Sequence, residues 1–147
     1  MTDSASDVIH DFELTLPHRR PKILLQTAAH VSGAAFYYKP QLSQHRLGVC
    51  IHPQYGGYFG IRGAIIFKQL LVPELDLLKS PPQDVVPPEK QQELLHLFND
   101  RWTDMTYRNI IPVQCRYSDL QMAYFALKPK DRIDFIKSTI LPLLRRQ

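Results

Sequence analysis

A chain of 147 residues, 44% hydrophobic and 22% charged, has the composition of one globular domain spanning residues 1–147, with a continuous core and no room for a second full domain. The formal charge of +4 comes from scattered basic pairs such as Arg19-Arg20 and Arg145-Arg146, not from a basic run interleaved with aromatics, and this argues against nucleic-acid binding. Two cysteines without a CxxC, a polar acidic start and no apolar run near the roughly 18 residues of a membrane span argue against a disulfide framework, a thiolate zinc site, a signal peptide and a membrane helix, so the expected setting is the reducing cytoplasm.

In chain order, Val8 to Leu16 predicts a short strand, and Pro21 suits the first turn of a helix. From Ile23 to Tyr38, Leu24, Ala28, Val31, Ala35 and Tyr38 recur at helical spacing and predict a core-facing stripe. A second stripe, Gln26, His30, Gly33 and Tyr37, mixes an amide, an imidazole, a bare backbone and a phenol, and fits a ligand wall better than a core. After a loop at QLSQH, the alternation of Arg46 to His52, the turn Pro53 to Gly57 and the return run Tyr58 to Phe67 predict a hairpin. Gly48, Gly60 and Gly63 lie in it, and strand glycines mark a bulge or a close approach to the backbone. The five prolines between Val72 and Pro88 predict an extended surface connection. Residues 89–102 predict a helix with Leu94, Leu97, Phe98 and Trp102 in register, and Ser118 with Gln121 forms a capping box opening a helix through Leu127. Pro129 starts a last helix whose buried face is Ile133, Ile136 and Ile140, with Pro142 ending or kinking it. The class is α+β.

Several chemistries lack their residues. There is no GxxxxGK[ST], HExxH or GxSxG, GGYFGIRG lacks the dinucleotide spacing, and no Asp-x-His-x-x-Gly lends a histidine to cobalt. Taken singly, His30 fits a satisfied, partly buried imidazole better than a functional one, Cys50 a small core hydrophobe, and Tyr37 and Tyr38 core packing or ligand contact. Arg62, between Ile61 and Gly63, must reach solvent or hold an anion, whereas Arg108 and Arg132 read as solvated charges.

The blocks HRRPKILLQTAAHVSGAAFYY, GVCIHPQYGGYFGIRG, RWTDMTYR and RYSDLQMAYF, in this order, closely resemble the cobalamin-processing family of methylmalonic aciduria and homocystinuria type C, over nearly the whole chain. That resemblance implies a nitroreductase-like (flavin reductase-like) antiparallel sheet with packed helices, binding cobalamin with its lower base detached. It also implies removal of the upper ligand, either by alkyl transfer to the thiol of glutathione or by reductive loss of cyanide using reduced FAD or FMN with NADPH. By the same resemblance Asp11, Ile23, Leu24, Leu25, Gln26, Tyr37, Tyr38, Lys39, Cys50 and Ile61 contact cobalamin, His30 lies near it, and Arg62, Arg108 and Arg132 hold glutathione, with no protein nucleophile and no protein-held metal. A cobalamin-trafficking partner (MMADHC-like) and a homodimer are further expectations. Relatives carry an additional N-terminal segment supplying strands and part of the flavin-reductase half, so an exposed sheet edge is expected here. The alternative is a binding or trafficking module without full reductase activity. Lys39 stands where relatives can have an uncharged amide.

Overall fold

The structure, a computed structural model, describes residues 6–41, 46–74 and 80–145. The strands are β1 (Ser6–His10), β2 (Leu14–Thr15), β3 (Arg20–Pro21), β4 (Phe36–Tyr38), β5 (Val49–Ile51) and β6 (Gly63–Phe67). The main helices are α1 (Leu25–Val31), α2 (Pro88–Asp100) and α3 (Asp119–Ala126). A C-terminal helical run follows, with a 3-10 turn at Pro129–Asp131, α4 (Arg132–Phe135), a π turn at Ile136–Ile140 and α5 (Leu141–Leu144). The strands pair antiparallel as β1 with β6, β2 with β3, and β4 with β5. Helices with small antiparallel sheets make the class α+β.

The long helix expected over Ile23–Tyr38 is instead the seven residues of α1 followed by β4. Its stop is local: Gly33 adopts φ +79°, its N–H donates to the carbonyl of His30, and the Ala34 N–H donates to that of Ala29. This is a Schellman ending, in which glycine takes the left-handed position at no steric cost. The expected stripe faces the core only in its last part: Leu24 is 68% exposed and Val31 59%, whereas Ala35 and Tyr38, which lie beyond the end of α1, are buried. Pro21, expected to open the helix, lies in β3, and the strand expected over Val8–Leu16 breaks into β1 and β2 around a turn.

The expected hairpin is also replaced. Its first run contributes β5, which pairs with β4, while its return run contributes β6, which pairs with β1. Between them the His52–Gly56 bridge closes a tight turn, and the Gly57 N–H donates to the carbonyl of Arg108, drawing the chain onto the Thr106–Asn109 3-10 turn and away from a ladder with β5. The loop read at QLSQH falls mostly outside the described residues.

The main core joins β4 and β5 to α2 and the 107–111 segment through Tyr38, Ile51, Leu94, Leu95, Tyr107 and Ile110. α2 starts on Pro88, where the missing N–H costs no hydrogen bond. Val86 is 2% exposed, so the proline-rich connection is anchored at its end and not purely a surface run. The capping box at Ser118 is present, with the Gln121 N–H donating to Ser118 Oγ and the Ser118 N–H to Gln121 Oε1. In the last helical run Ile136 and Ile140 are half-buried, but Ile133 is 62% exposed. The π turn precedes Pro142, which has no N–H to offer the Ser138 carbonyl, so an ordinary α turn cannot continue there. The β1–β6 ribbon leaves Val8, Ile65, Ile66 and Phe67 exposed. No helix among the described residues is long and apolar enough to cross a membrane.

Candidate functional site

The free edge of β5 is closed by a side chain. Gln26 on α1 donates its amide N–H to the carbonyl of Gly48 (3.1 Å) and accepts the Cys50 N–H (2.8 Å), imitating one residue of a neighbouring strand. The Cys50 thiol lies 3.3 Å from the Gln26 carbonyl, and burial pushes its pKa up to about 11, so it is a neutral wall atom and not a nucleophile. A cavity of about 150 Å³ opens beside this lock, lined by Gln26, Cys50, Phe59, Ile61, Phe98 and Arg108.

Two larger cavities share its walls. Phe59 and Ile61 also line one of about 430 Å³, whose other walls include the small residues Ala28, Ala29 and Gly60 and the charged Arg62. Phe98, Tyr107 and Arg108 also line one of about 400 Å³, which holds Trp102, Met105 and Arg132. The three spaces therefore form a row with an arginine at each end and one between.

The arginines differ in their partners. Arg62 is paired with Asp11 at 2.7 Å, and the Asp11 N–H donates to the Arg62 carbonyl (3.0 Å), so each fixes the other. Arg108 and Arg132 have no carboxylate within ion-pair distance among the described residues. Arg108 donates to the carbonyl of Gly57 and packs against Tyr107, Tyr117, Phe125 and Tyr58, with ring centroids at 4.9, 5.1, 5.6 and 5.9 Å. Arg132 donates to the carbonyls of Leu127 and Phe125 and lies 5.3 Å from the Tyr124 ring and 5.8 Å from that of Phe125. Aromatic faces and carbonyls hold both cations without neutralising them, which leaves charge for an incoming anion. Among the described residues, the buried side-chain polar atoms without a partner are Asp11 Oδ1 and Arg108 Nε, both at this site.

Of the predicted residues, Gln26, Cys50 and Ile61 meet in the row of cavities together with the three arginines. Asp11 reaches it through Arg62, while Ile23, Leu24, Leu25, His30, Tyr37, Tyr38 and Lys39 line none of the three spaces. His30 Nδ1 accepts the Tyr37 N–H (3.1 Å) and so ties α1 to β4. Tyr38, 2% exposed, donates its hydroxyl to Asp84 and accepts the N–H groups of Val85 and Val86, a structural junction. The glycines also separate. A Cβ on Gly48 would lie 2.5 Å from the Tyr37 ring, one on Gly63 2.6 Å from the Ile9 carbonyl oxygen and one on Gly57 2.9 Å from Arg108 Cα, so these three serve internal packing. At Gly60 a Cβ meets nothing nearer than Arg62 Cδ at 3.8 Å, and there the missing side chain leaves cavity space. Sequence reading missed the aromatic cage and His52; strand alternation carried no sign of the cage, because it brings Tyr58 together with Tyr107, Tyr117 and Phe125, which lie far along the chain.

The chain matches the model of the methylmalonic aciduria and homocystinuria type C family over residues 1–136. It is 48% identical over 145 residues to a Gallus gallus cyanocobalamin reductase / alkylcobalamin dealkylase, covering 93% of this chain and 60% of that protein. Against the Homo sapiens protein of the same name it is 46% identical over 135 residues, covering 86% and 47%. The crystal structure of a Caenorhabditis elegans B12-trafficking protein CblC, a human MMACHC homologue, superposes with a TM-score of 0.78 at 32% identity, covering 90% of this chain and 55% of that one. The chain thus spans about half to three-fifths the length of these relatives, and the arginine-bearing cavities lie within the residues that the family match covers. By this match, and by a fold shared with a solved member, the chain belongs to the methylmalonic aciduria and homocystinuria type C family.

Proposed function

We propose that this chain processes cobalamin: it holds base-off cobalamin against the Gln26, Cys50 and Ile61 wall and removes its upper axial ligand. The routes are glutathione-dependent dealkylation of alkylcobalamins and flavin-dependent reductive decyanation of cyanocobalamin. The observation that supports this best is the pair Arg108 and Arg132, two cations without carboxylate partners among the described residues, on one cavity of about 400 Å³ that shares a wall with the Cys50 space. Glutathione carries two carboxylates, and guanidinium groups bind carboxylates in paired planar geometry. Arg62 offers a third cation once its bond to Asp11 is exchanged.

In dealkylation the thiol gives its proton to solvent, its sulfur attacks the alkyl carbon on cobalt, the S–C bond forms, and the Co–C electron pair stays on cobalt as cob(I)alamin. The chain binds and orients; holding sulfur over carbon makes the displacement effectively intramolecular, a gain of about 7–11 kcal/mol in favourable cases. In decyanation, reduced FAD or FMN would supply the electrons and cyanide would leave. A nitroreductase-like parentage of the sheet, MMADHC-like and homodimeric partners and a cytoplasmic setting belong to the same reading. A second reading, a module that holds or hands on cobalamin without reductase chemistry, is favoured by the description of the C. elegans neighbour as a B12-trafficking protein.

Initial rates of methylcobalamin dealkylation across glutathione concentrations test the assignment in Arg108→Lys and Arg132→Lys, which keep a charge and lose the fork. We expect KM for glutathione to rise about tenfold with methylcobalamin affinity kept, as for loss of a charge-assisted bond of about 1.5 kcal/mol. Wild-type glutathione dependence in both variants would remove these arginines from the second-substrate site.

A further inference from the structure

We infer that His52 is a ligand-binding residue, donating its Nε2–H to an oxygen acceptor of the molecule held in the cavity beside Arg62. The inference rests on the cobalamin–glutathione reading above and adds a residue to it. His52 lines the cavity of about 430 Å³ that also carries Arg62, Ala28, Ala29 and Gly60. Its Nδ1 accepts the backbone N–H of Gln54 (3.1 Å) and of Tyr55 (3.3 Å). A nitrogen that accepts two N–H groups carries no proton, so in the neutral ring the proton sits on Nε2. Nε2 has no partner among the described residues.

The ring is held in this orientation. It packs against Tyr55 with centroids 4.7 Å apart and against Phe59 at 5.7 Å, and turning it over would lose both turn bonds. Burial also holds its pKa below the ordinary imidazole value, which keeps it neutral. The turn thus fixes one donor atom in a wall otherwise made largely of small side chains. Against such a wall a flat molecule can lie close; of its three polar side chains Ser32 spends its hydroxyl proton on the Ala29 carbonyl (3.0 Å), while Arg62 and His52 are both donors. They suit an acceptor oxygen, either an amide carbonyl on a corrinoid rim or a carboxylate of the thiol peptide.

Two variants separate this role from that of the turn. In His52→Asn the amide oxygen replaces Nδ1 and can close the turn onto residue 54, as asparagine does in Asx-turns, while the donor to the cavity is lost. In His52→Gln the amide N–H reaches the place of Nε2, while the turn acceptor is lost. Methylcobalamin affinity by absorption titration, KM for glutathione in dealkylation and thermal midpoint are measured for both. We expect His52→Asn to melt within about 2 °C of wild type and to weaken one ligand about five- to tenfold, the size expected for one lost hydrogen bond to ligand. Weaker methylcobalamin binding assigns the acceptor to the corrinoid; a raised KM alone assigns it to glutathione. His52→Gln should melt lower yet keep near wild-type ligand values when folded. Wild-type values for both ligands in His52→Asn would overturn the inference and leave His52 as a turn residue. If His52→Asn also melts early, folded His52→Gln decides, and weakened ligand values there overturn it as well. Failure of the wild-type chain to bind methylcobalamin at all would instead sink the cobalamin reading, and this inference with it.

Discussion

Replacing Tyr38 by phenylalanine removes one oxygen and leaves the ring, so no cavity forms and the effect is that of the hydroxyl alone. That hydroxyl donates to Asp84 Oδ1 (2.7 Å) and accepts the N–H groups of Val85 (3.1 Å) and Val86 (2.9 Å), joining β4 to the segment that leads into α2. Asp84 is exposed and regains water, a loss of about 0.5–1 kcal/mol. Val86 is 2% exposed, and its N–H is left without a partner at about 1–3 kcal/mol, with a smaller part from half-buried Val85. The sum is about 2–4 kcal/mol, or roughly 5–15 °C in the midpoint of a chain this size. Urea denaturation of wild type and variant with equal m-values measures it. Burial first and the Asp84 carboxylate second raise the Tyr38 pKa above the ordinary 10.0, so this contribution is complete below that pH and is lost as pH climbs through the folded value. A variant within about 0.5 kcal/mol of wild type that binds cobalamin more weakly would refute the structural role and place the hydroxyl on the ligand.

Gly60→Val should leave urea stability within about 0.5 kcal/mol and weaken cobalamin binding, because its side chain enters cavity space; Gly48→Ala should cost about 1–3 kcal/mol by pushing on the Tyr37 ring. Ellman's reagent at pH 8 should titrate exposed Cys115 at once and Cys50 only on unfolding, and the stability held in the Cys50 thiol should be complete below pH 9.0 and fall away toward about pH 11; rapid reaction of both thiols would refute the buried assignment.

Features closed by bonds between near neighbours were legible in the sequence. The capping box of Ser118 and Gln121, the turn at Pro53–Gly57 and the helix carrying Leu94 and Leu97 each rest on hydrogen bonds or periodicities spanning a few residues, and each stands where the pattern puts it. The family blocks were equally legible, since order and identity along the chain require no coordinates. Gly33 shows where local reading faltered: helical spacing continued through it, but one residue at positive φ is enough to end a helix. Strand partners lay beyond the sequence. A strand pattern states which faces are apolar and not whose edge is free, so β5 could turn to β4 and β6 to β1 without altering a single alternation. The same limit governed the site. Along the chain Arg62 stood out as a strand arginine and Arg108 and Arg132 read as solvated charges, yet the tertiary structure gave the first a carboxylate and wrapped the other two in aromatic rings, because a charge is neutralised by what lies within a few ångströms and not by what lies beside it in sequence.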